Sequence, residues 1–254
     1  MSTPLVVANW KMHGDQAHCA SLARQIVRAL RRQPVNAEVV LAPPFTALNA
    51  VHRCLSGSPI KLAAQNCHWE SQGAYTGEIS PVMLREFACA YVIIGHSERR
   101  QLFHESDATI ARKLRSLLSQ GMRAILCVGE TLEERHAKKT SLVIRRQLRI
   151  ALKGLTKTDI ANNEIAYEPV WAIGTGQNAT PKQISQVHRQ IRNCLTNWFG
   201  PSAGKQARIL YGGSVKPENV ENLVAVEEIG GFLVGGASLQ SETFLPIVRA
   251  YSKK

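Results

Sequence analysis

The chain has 254 residues, 44% of them hydrophobic and 20% charged, and its formal net charge is +12 at pH 7. This length allows one large domain or two small ones, and the composition is ordinary for a globular protein with a sizeable core. No apolar run approaches the roughly 20 residues that span a bilayer. The first residues contain no charged segment followed by an apolar one, which argues against a signal peptide. We therefore expect a cytoplasmic protein that does not engage a membrane.

The cysteine, histidine and basic residues argue against a metal centre, a disulfide framework and a nucleic-acid surface. The six cysteines form no CxxC pair and are irregularly spaced, and the eight histidines contain no HExxH spacing. We therefore expect reduced thiols and no metal. The basic residues occur as short pairs, such as Arg31 and Arg32, without the interleaved aromatic residues that single-strand binding needs. The net charge favours a solvated basic surface and no nucleic-acid partner, and it also suits an anionic small substrate.

Apolar runs that alternate with amphipathic helical segments predict the fold. Most runs are apolar on both faces, as strands of a buried parallel sheet are. The predicted strands are 5–10, 37–43, 60–65, 90–95, 122–129, 163–169, 206–212 and 231–236. Eight strands alternating with helices in this length predict an α/β fold, a (βα)8 barrel of eight parallel strands with outer helices, as a single domain over 1–254. A doubly wound open sheet is the alternative.

Two of the helices are predicted together with their capping residues. Over 15–32, apolar residues recur at helical spacing after Asp15, which suits an N-cap. Over 180–199, Thr180 and Gln183 match a capping box around a proline at the first helical position. Both segments are therefore expected to be amphipathic helices packed on the strands.

In a barrel of this kind the active site lies at the carboxyl ends of the strands. The polar residues that follow the predicted strands there are Asn9, Lys11, Gln65, His96, Glu98, Cys127 and Glu168. Each one alone has an ordinary structural explanation, such as a solvated lysine, a histidine with satisfied hydrogen bonds or an ion-paired glutamate. Together, a lysine, a histidine and a glutamate from three strands would meet at one mouth and supply a fixed cation, an electrophile and a base.

Glycine-rich turns follow the last two predicted strands. YGGSV (211–215) and VGGAS (234–238) leave backbone N–H groups uncovered by side chains, and the loops after strands 7 and 8 form the usual phosphate site of such barrels. The turns predict a phosphorylated substrate, with a pair of structural tight turns as the alternative. The GxGxxA pattern at 174–179 also suits a dinucleotide, but no acidic residue for the ribose occurs between Pro169 and Pro217, which excludes that interpretation.

Eight short motifs together resemble the triosephosphate isomerase family. They are ANWKM (8–12), AQN (64–66), GAYTGEIS (73–80), IIGHSERR (93–100), CVGE (127–130), AYEPVWAIGTG (166–176), YGGSV (211–215) and LVGGASL (233–239). The resemblance implies a TIM barrel and an isomerase that interconverts dihydroxyacetone phosphate and D-glyceraldehyde 3-phosphate in glycolysis and gluconeogenesis. The implied mechanism is base-catalysed proton transfer through an enediolate, with no metal or organic cofactor.

The resemblance also implies a role for individual residues. Glu168 would be the base, and His96 the electrophile at the carbonyl and enediolate oxygens. Lys11, beside Asn9, would supply fixed positive charge near the phosphate and the oxyanion. The implied phosphate-binding amides belong to Gly174, Ser214, Gly235 and Gly236. A Schiff-base aldolase that uses Lys11 as its nucleophile is the alternative enzyme, and a basic nucleic-acid-binding barrel is the non-enzymatic alternative.

Three neighbouring residues have implied supporting roles, namely Ser97, Glu98 and Cys127. Ser97 and Glu98 begin a predicted short helix whose positive N-terminal end disfavours a charged imidazole at His96. A neutral histidine at this position is a property of the family, and the resemblance implies it here.

The segment 166–181 joins an acid to an apolar run and to a glycine pair. Glu168 ends a predicted strand and is followed by Pro169, by the apolar residues 170–173 and by GTG at 174–176. The apolar residues have no evident core of their own. We interpret the segment as a hinged lid that carries the base and keeps water from a bound phosphoester.

The long loop at 66–80 is predicted to be an interaction element, because it is not helical and carries aromatic residues. In the family this loop reaches into a partner subunit, and Thr76 lies at the matching position, so the resemblance implies a homodimer. Two positions depart from the family pattern. Gly230 stands where many members have an aspartate, which puts a family ion pair near the helix after the lid in doubt, and His13 stands where asparagine is common.

Overall fold

Eight parallel strands close into a barrel in which each strand pairs with its neighbours in chain order and the first pairs with the last. The structure, a computed structural model, describes residues 3–172 and 179–253. The strands are β1 (Leu5–Asn9), β2 (Glu38–Ala42), β3 (Lys61–Ala64), β4 (Cys89–Ile94), β5 (Arg123–Val128), β6 (Glu164–Tyr167), β7 (Ile209–Tyr211) and β8 (Gly231–Val234). The predicted (βα)8 barrel is confirmed, and the doubly wound open sheet is wrong because the pairing of β1 with β8 closes the sheet.

Helices connect the strands on the outside of the barrel. Within the described residues they are α1 (Gln16–Arg32), α2 (Leu48–Leu55), α3 (Pro81–Glu86), α4 (Ser97–Leu102), α5 (Asp107–Ser119), α6 (Leu132–His136), α7 (Thr140–Ala151), α8 (Lys157–Ala161), α9 (Pro181–Phe199), α10 (Pro201–Gln206), α11 (Val220–Val224) and α12 (Ser241–Arg249). Both helices predicted in detail are confirmed. The Asp15 carboxylate accepts a hydrogen bond from the N–H of His18 at 2.8 Å, and Thr180 and Gln183 form the capping box of α9. In the ranges described, no helix is long and apolar enough to cross a membrane.

The side chains of the strands form two buried layers. One layer fills the barrel and includes Leu5, Val7, Val40, Ala63, Ile93, Ile125, Ala166, Leu210 and Leu233. The other packs against the helices and includes Val6, Ala8, Leu41, Val92, Leu126, Ile165 and Ile209. Successive side chains of a strand point to opposite faces, so burial of both faces requires an unbroken apolar run. This requirement is the physical reason why the strands could be predicted from the sequence.

A network of charged side chains around Arg208 closes the amino-terminal end of the barrel. Arg208 donates to Glu164 at 3.0 and 2.6 Å and to Glu38 at 2.6 Å. The Tyr91 hydroxyl accepts from Arg208 at 3.0 Å and donates to Glu38 at 2.7 Å. Burial lowers the pKa of Arg208, but the two carboxylates outweigh it and the net shift is upward. Because these side chains belong to four different strands or strand ends, nothing local in the sequence indicated the network.

The turn before β8 is tied to α9 despite the departure at Gly230. Arg192 in α9 donates to Glu228 at 3.0 Å, and Arg189 lies 3.5 Å from the same carboxylate. A carboxylate two residues before Gly230 therefore supplies an ion pair in this neighbourhood. A Cβ added at Gly230 would lie 3.0 Å from the backbone nitrogen of Ile209, so the glycine permits a close approach to β7.

Candidate active site

A cavity of about 800 Å³ opens at the carboxyl ends of the strands. Its lining follows β1, β4, β6, β7 and β8, so residues far apart in the sequence meet in one place. The sequence-predicted residues that line it are Asn9, Lys11, His96, Ser97, Glu98, Glu168, Ser214, Gly235 and Gly236. Of the other predicted residues, Gln65 does not line the cavity and donates to the carbonyl of Lys11. Cys127 lies behind the cavity wall, Thr76 lies in an exposed turn, and Gly174 lies outside the described residues.

Glu168 directly follows β6, and only 2% of its surface is exposed. Its Oε2 accepts a hydrogen bond from the backbone N–H of Ser97 at 2.8 Å, and its Oε1 lies 3.0 Å from Nε2 of His96. Its own backbone N–H donates to the carbonyl of Val128 at 2.8 Å. The carboxylate is therefore held at the first turn of α4 and beside an imidazole.

Two glycines leave room for Glu168 to take this position. A Cβ added at Gly129 would lie 1.7 Å from the carbonyl oxygen of Glu168, and one added at Gly212 would lie 2.9 Å from its Cγ. A side chain at Gly129 would overlap the backbone of Glu168, and one at Gly212 would force the Glu168 side chain to shift. The YGGSV turn was predicted for its amides, but its first glycine also contacts the acid, and Gly129 was not predicted as a site residue.

His96 is the N-cap of α4, and the short helix predicted at Ser97 is confirmed. Its Nδ1 accepts a hydrogen bond from the backbone N–H of Glu98 at 3.2 Å. Because Nδ1 is an acceptor in this geometry, the ring carries its proton on Nε2, which donates to Glu168. The local backbone thus selects one neutral tautomer and aims its N–H at the carboxylate.

Burial and charge act in opposite directions on this pair. Burial lowers the pKa of His96, but the Glu168 carboxylate raises it, and the net shift is upward from 6.5. Burial raises the pKa of Glu168, but His96 and the Ser97 N–H lower it, and the net shift is downward from 4.5. The carboxylate is therefore ionised at neutral pH. A ligand that separates the two side chains removes the largest upward contribution to the pKa of His96, so burial then counts more strongly in favour of the neutral imidazole.

Lys11 is held in a strained turn after β1. Its φ of 51° lies in the left-handed region, which is unfavourable for a residue with a side chain. Its N–H donates to Oδ1 of Asn9 at 3.1 Å, and its carbonyl accepts from Gln65 at 2.9 Å. Its Nζ lies 2.5 Å from Oε1 of Glu98. These contacts fix an ammonium group at the edge of the cavity.

Glycine turns line the same cavity, and one of them lies beside Lys11. A Cβ added at Gly235 would lie 3.2 Å from Cε of Lys11, whereas one added at Gly236 would meet no atom of the described residues within 4 Å. Glycine at the first position makes room for the lysine, and glycine at the second leaves the cavity open. Ser238, which was not predicted, donates to the carbonyl of Gly235 at 2.7 Å and so holds this turn. Ser214 faces the same space from the loop after β7.

Cys127 lies in the layer that fills the barrel, directly behind the acid. Burial, followed by the nearby Glu168 carboxylate, raises the pKa of its thiol well above 9.0. The thiol is therefore neutral and can donate weakly to the carboxylate. It does not line the cavity, so it contacts Glu168 rather than anything bound there.

A second buried carboxylate, Glu130, lies under the start of the predicted lid and was not predicted as a site residue. Its Oε1 accepts from the Tyr167 hydroxyl at 3.1 Å, from Trp171 Nε1 at 3.0 Å and from Arg135 at 3.0 Å. The expectation that the apolar residues after Pro169 lack a core is wrong for Trp171 and Ala172, which are buried. The signal available in the sequence was the position of Glu130 after a strand, in the CVGE motif.

The cavity combines a buried carboxylate, an imidazole N–H, an ion-paired ammonium and glycine turns that suit an anion. Among the side chains that the structure describes, no three histidine, cysteine, aspartate or glutamate residues gather as metal ligands. A closed parallel barrel with these groups at the carboxyl ends of its strands defines the class: a (βα)8-barrel enzyme suited to proton transfer on a small anionic substrate.

Comparison with known proteins agrees with this class. Residues 4–251 match the family model described as triosephosphate isomerase. The triosephosphate isomerases of Syntrophotalea carbinolica, Pelobacter propionicus and Caldanaerobacter subterraneus are 51%, 48% and 48% identical to this chain, and each alignment covers 98% of this chain and 98% or 99% of the relative. The chain belongs to the triosephosphate isomerase family.

Proposed function

We propose that Glu168 moves the proton between C1 and C2 of the substrate in the reaction of the family, the interconversion of dihydroxyacetone phosphate and D-glyceraldehyde 3-phosphate. The chain is an isomerase of triose phosphates by its family. The observation that carries the role of Glu168 is its buried carboxylate at the cavity wall, 3.0 Å from an imidazole nitrogen. This arrangement puts a base and an electrophile within reach of one small molecule.

The carboxylate becomes an effective base when the substrate replaces its present partners. In the structure, Oε1 interacts with His96 and Oε2 accepts from Ser97. A substrate carbonyl oxygen competes for the His96 N–H and thereby frees Glu168 to turn toward C1. A carboxylate that is buried and has lost a donor binds a proton more strongly, which favours abstraction from carbon. The same group then returns the proton to C2.

His96 and Lys11 stabilise the enediolate in this proposal. A carbon next to a carbonyl is a weak acid, so the barrier falls only if donors already face the oxygens where negative charge develops. The Nε2–H of His96 is oriented by the contact of Nδ1 with the Glu98 N–H. The Lys11 ammonium adds positive charge that its backbone contacts and Glu98 hold in place.

We assign the phosphate to the glycine turns of the cavity, to the amides of Ser214, Gly235 and Gly236 and to that of Gly174 in the predicted lid segment. Short side chains allow the phosphate to approach the backbone closely, and N–H groups at the start of a helical turn suit an anion. A Schiff-base aldolase is disfavoured, since that nucleophile must be a free amine and Lys11 Nζ is ion-paired with Glu98 at 2.5 Å.

Solvent-deuterium exchange at C1 of dihydroxyacetone phosphate tests the role of the base. In deuterium oxide the wild type should exchange this hydrogen rapidly, whereas Glu168→Gln, which keeps the shape but not the basicity, should not. Both proteins are compared at equal concentration after circular dichroism shows equal folded content. Equal exchange rates would rule out Glu168 as the base.

We also propose a homodimer formed through the loop after β3. Seven exposed large apolar side chains follow the carboxyl ends of the neighbouring strands β1–β4, namely Met12, Phe45, Tyr75, Val82, Met83, Leu102 and Phe103. Such a concentration on one side of a barrel supports a partner surface. Sedimentation equilibrium of Thr76→Glu should show weaker association than wild type. Leu142→Glu, at an exposed leucine outside this group, is the control, and equal dissociation constants for the two variants would contradict the assignment.

We further propose that residues 1–254 form a single domain, which acts in the cytoplasm in glycolysis and gluconeogenesis and has no nucleic-acid partner. The support for a single domain is that one closed barrel uses all eight strands, from Leu5 to Val234. Limited proteolysis should then yield one resistant fragment, whereas two stable fragments would indicate two domains.

A further inference from the structure

Gln147 is a buried polar residue of α7 that none of the roles above uses. Only 5% of its surface is exposed. Its Oε1 accepts from the N–H of Gly129 at 2.9 Å, and its Nε2 donates to the carbonyl of Gly129 at 3.0 Å. One side-chain amide therefore satisfies both peptide groups of the residue that follows β5. Without it, these buried groups would lose partners at a substantial cost in free energy.

Gly129 in turn contacts the backbone of Glu168. A Cβ added at Gly129 would lie 1.7 Å from the carbonyl oxygen of Glu168 and 2.8 Å from its carbonyl carbon. On either side of this contact, the Glu168 N–H donates to Val128 at 2.8 Å and the Val170 N–H donates to Glu130 at 3.2 Å. The loop after β5 thus forms the surface on which the segment carrying the acid lies, with Gly129 at the closest point.

We propose that Gln147 is a positioning residue for the reaction, which holds Glu168 in place by fixing Gly129. This inference rests on the proposed role of Glu168 as the base. Gln147 does not line the cavity at the strand ends, so it acts through the backbone and not on the substrate. Proton transfer needs the base at a defined distance from carbon, and a displacement of about 1 Å can reduce the rate about 100-fold.

The test uses Gln147→Leu, which removes both hydrogen bonds and keeps most of the volume. A smaller side chain would give a less clear result, because a cavity of about 310 Å³ borders both Gly129 and Gln147 and water can replace lost hydrogen-bond partners in a polar space. Val143→Ala is the matched control. Val143 is buried in the same helix and offers no polar group to Gly129, so its truncation lowers stability through packing alone.

We expect Gln147→Leu to lower kcat about 10- to 100-fold with KM changed less than about threefold, at a temperature where every variant is folded. Val143→Ala should keep kcat within about twofold of wild type. Gln147→Glu adds a pH signature. When protonated, the introduced carboxyl both donates and accepts, as the native amide does, so the kcat of this variant relative to wild type should rise as the pH falls. The relative kcat of Gln147→Leu should not rise.

Glu168→Gln, measured in parallel, separates this inference from the proposed function. If Glu168→Gln keeps the kcat of wild type, the base is misassigned and the proposed function fails. If Glu168→Gln is inactive while folded Gln147→Leu loses no more kcat than Val143→Ala, the positioning role is overturned and the base assignment stands. A relative kcat of Gln147→Glu that stays constant with pH would also overturn it.

Discussion

Replacing Glu164 by glutamine tests whether the amino-terminal end of the barrel serves stability while the carboxyl-terminal end serves the reaction. Glu164 is 1% exposed and accepts from Arg208 at 3.0 and 2.6 Å. It also pairs with Arg123. Glutamine keeps the shape of the side chain, but it removes the charge and turns one acceptor into an NH2 group that faces a guanidinium. The buried arginine then loses its main counter-charge.

The free energy of unfolding should fall by about 3 kcal/mol. Removing one partner of a buried ion pair costs about 3–5 kcal/mol, because the other charge remains buried. The lower end applies, since Glu38 still lies 2.6 Å from the Arg208 guanidinium. For a chain of this size, 1 kcal/mol corresponds to about 2–4 °C in Tm. The expected decrease in Tm is therefore about 6–12 °C.

Thermal unfolding followed by circular dichroism measures this change, together with kcat and KM at a temperature where the variant is folded. Glu228→Gln is the control, because the pair of Glu228 with Arg192 is partly exposed and such pairs contribute about 1 kcal/mol or less. The kcat of Glu164→Gln should equal that of wild type. A decrease in Tm no larger than that of Glu228→Gln would refute the stabilising role of the amino-terminal end. A large loss of kcat in folded Glu164→Gln would refute the assignment of the reaction to the carboxyl-terminal end alone.

Three further predictions concern His188, Gly212 and Lys11. His188 is buried in α9, and burial lowers its pKa from 6.5 to about 4. The unfolded chain therefore takes up a proton at a higher pH than the folded protein does. The stability that is present above pH 6.5 should be lost as the pH falls toward 4, by up to about 3 kcal/mol. In His188→Gln, Tm measured against pH should be flatter in that window, and an unchanged slope would contradict the assignment. Gly212→Ala places a Cβ 2.9 Å from Cγ of Glu168 and should lower kcat about 100-fold; a wild-type kcat would show that the acid does not need this position. Lys11→Met should lower kcat/KM about 100-fold or more, because the positive charge is lost. Lys11→Arg keeps the charge and should have a higher kcat/KM than Lys11→Met; equal values for the two variants would show that the charge does not matter.

The strands and the two long helices were predictable because their signals are local. Burial on both faces requires continuous apolar runs, so the strand boundaries were found to within a few residues. The caps at Asp15 and Thr180 depend only on residues three positions apart. The polar residues at the strand ends followed from the same map, because a closed parallel barrel brings all carboxyl ends to one mouth.

The contacts around the acid were not predictable, because they join residues far apart in the sequence. Gln147 and Gly129 are 18 positions apart, and nothing local indicates that one amide satisfies the other residue. The apolar residues after Pro169 were expected to lack a core, yet Trp171 is buried and donates to Glu130. That partner follows a different strand, so only the pairing of β5 with β6 brings the two together.

By itself, the sequence determined the alternation of strands and helices, the burial of the sheet and the set of polar residues at the strand ends. These properties depend on side-chain type and on spacing within one element. Only the tertiary structure decided that Glu168 meets His96 and the Ser97 N–H, that Lys11 is paired with Glu98, and that Arg208 closes the far end. Hydrogen bonds and ion pairs act over about 3 Å, so they exist only once the closed barrel has set the distances between strands.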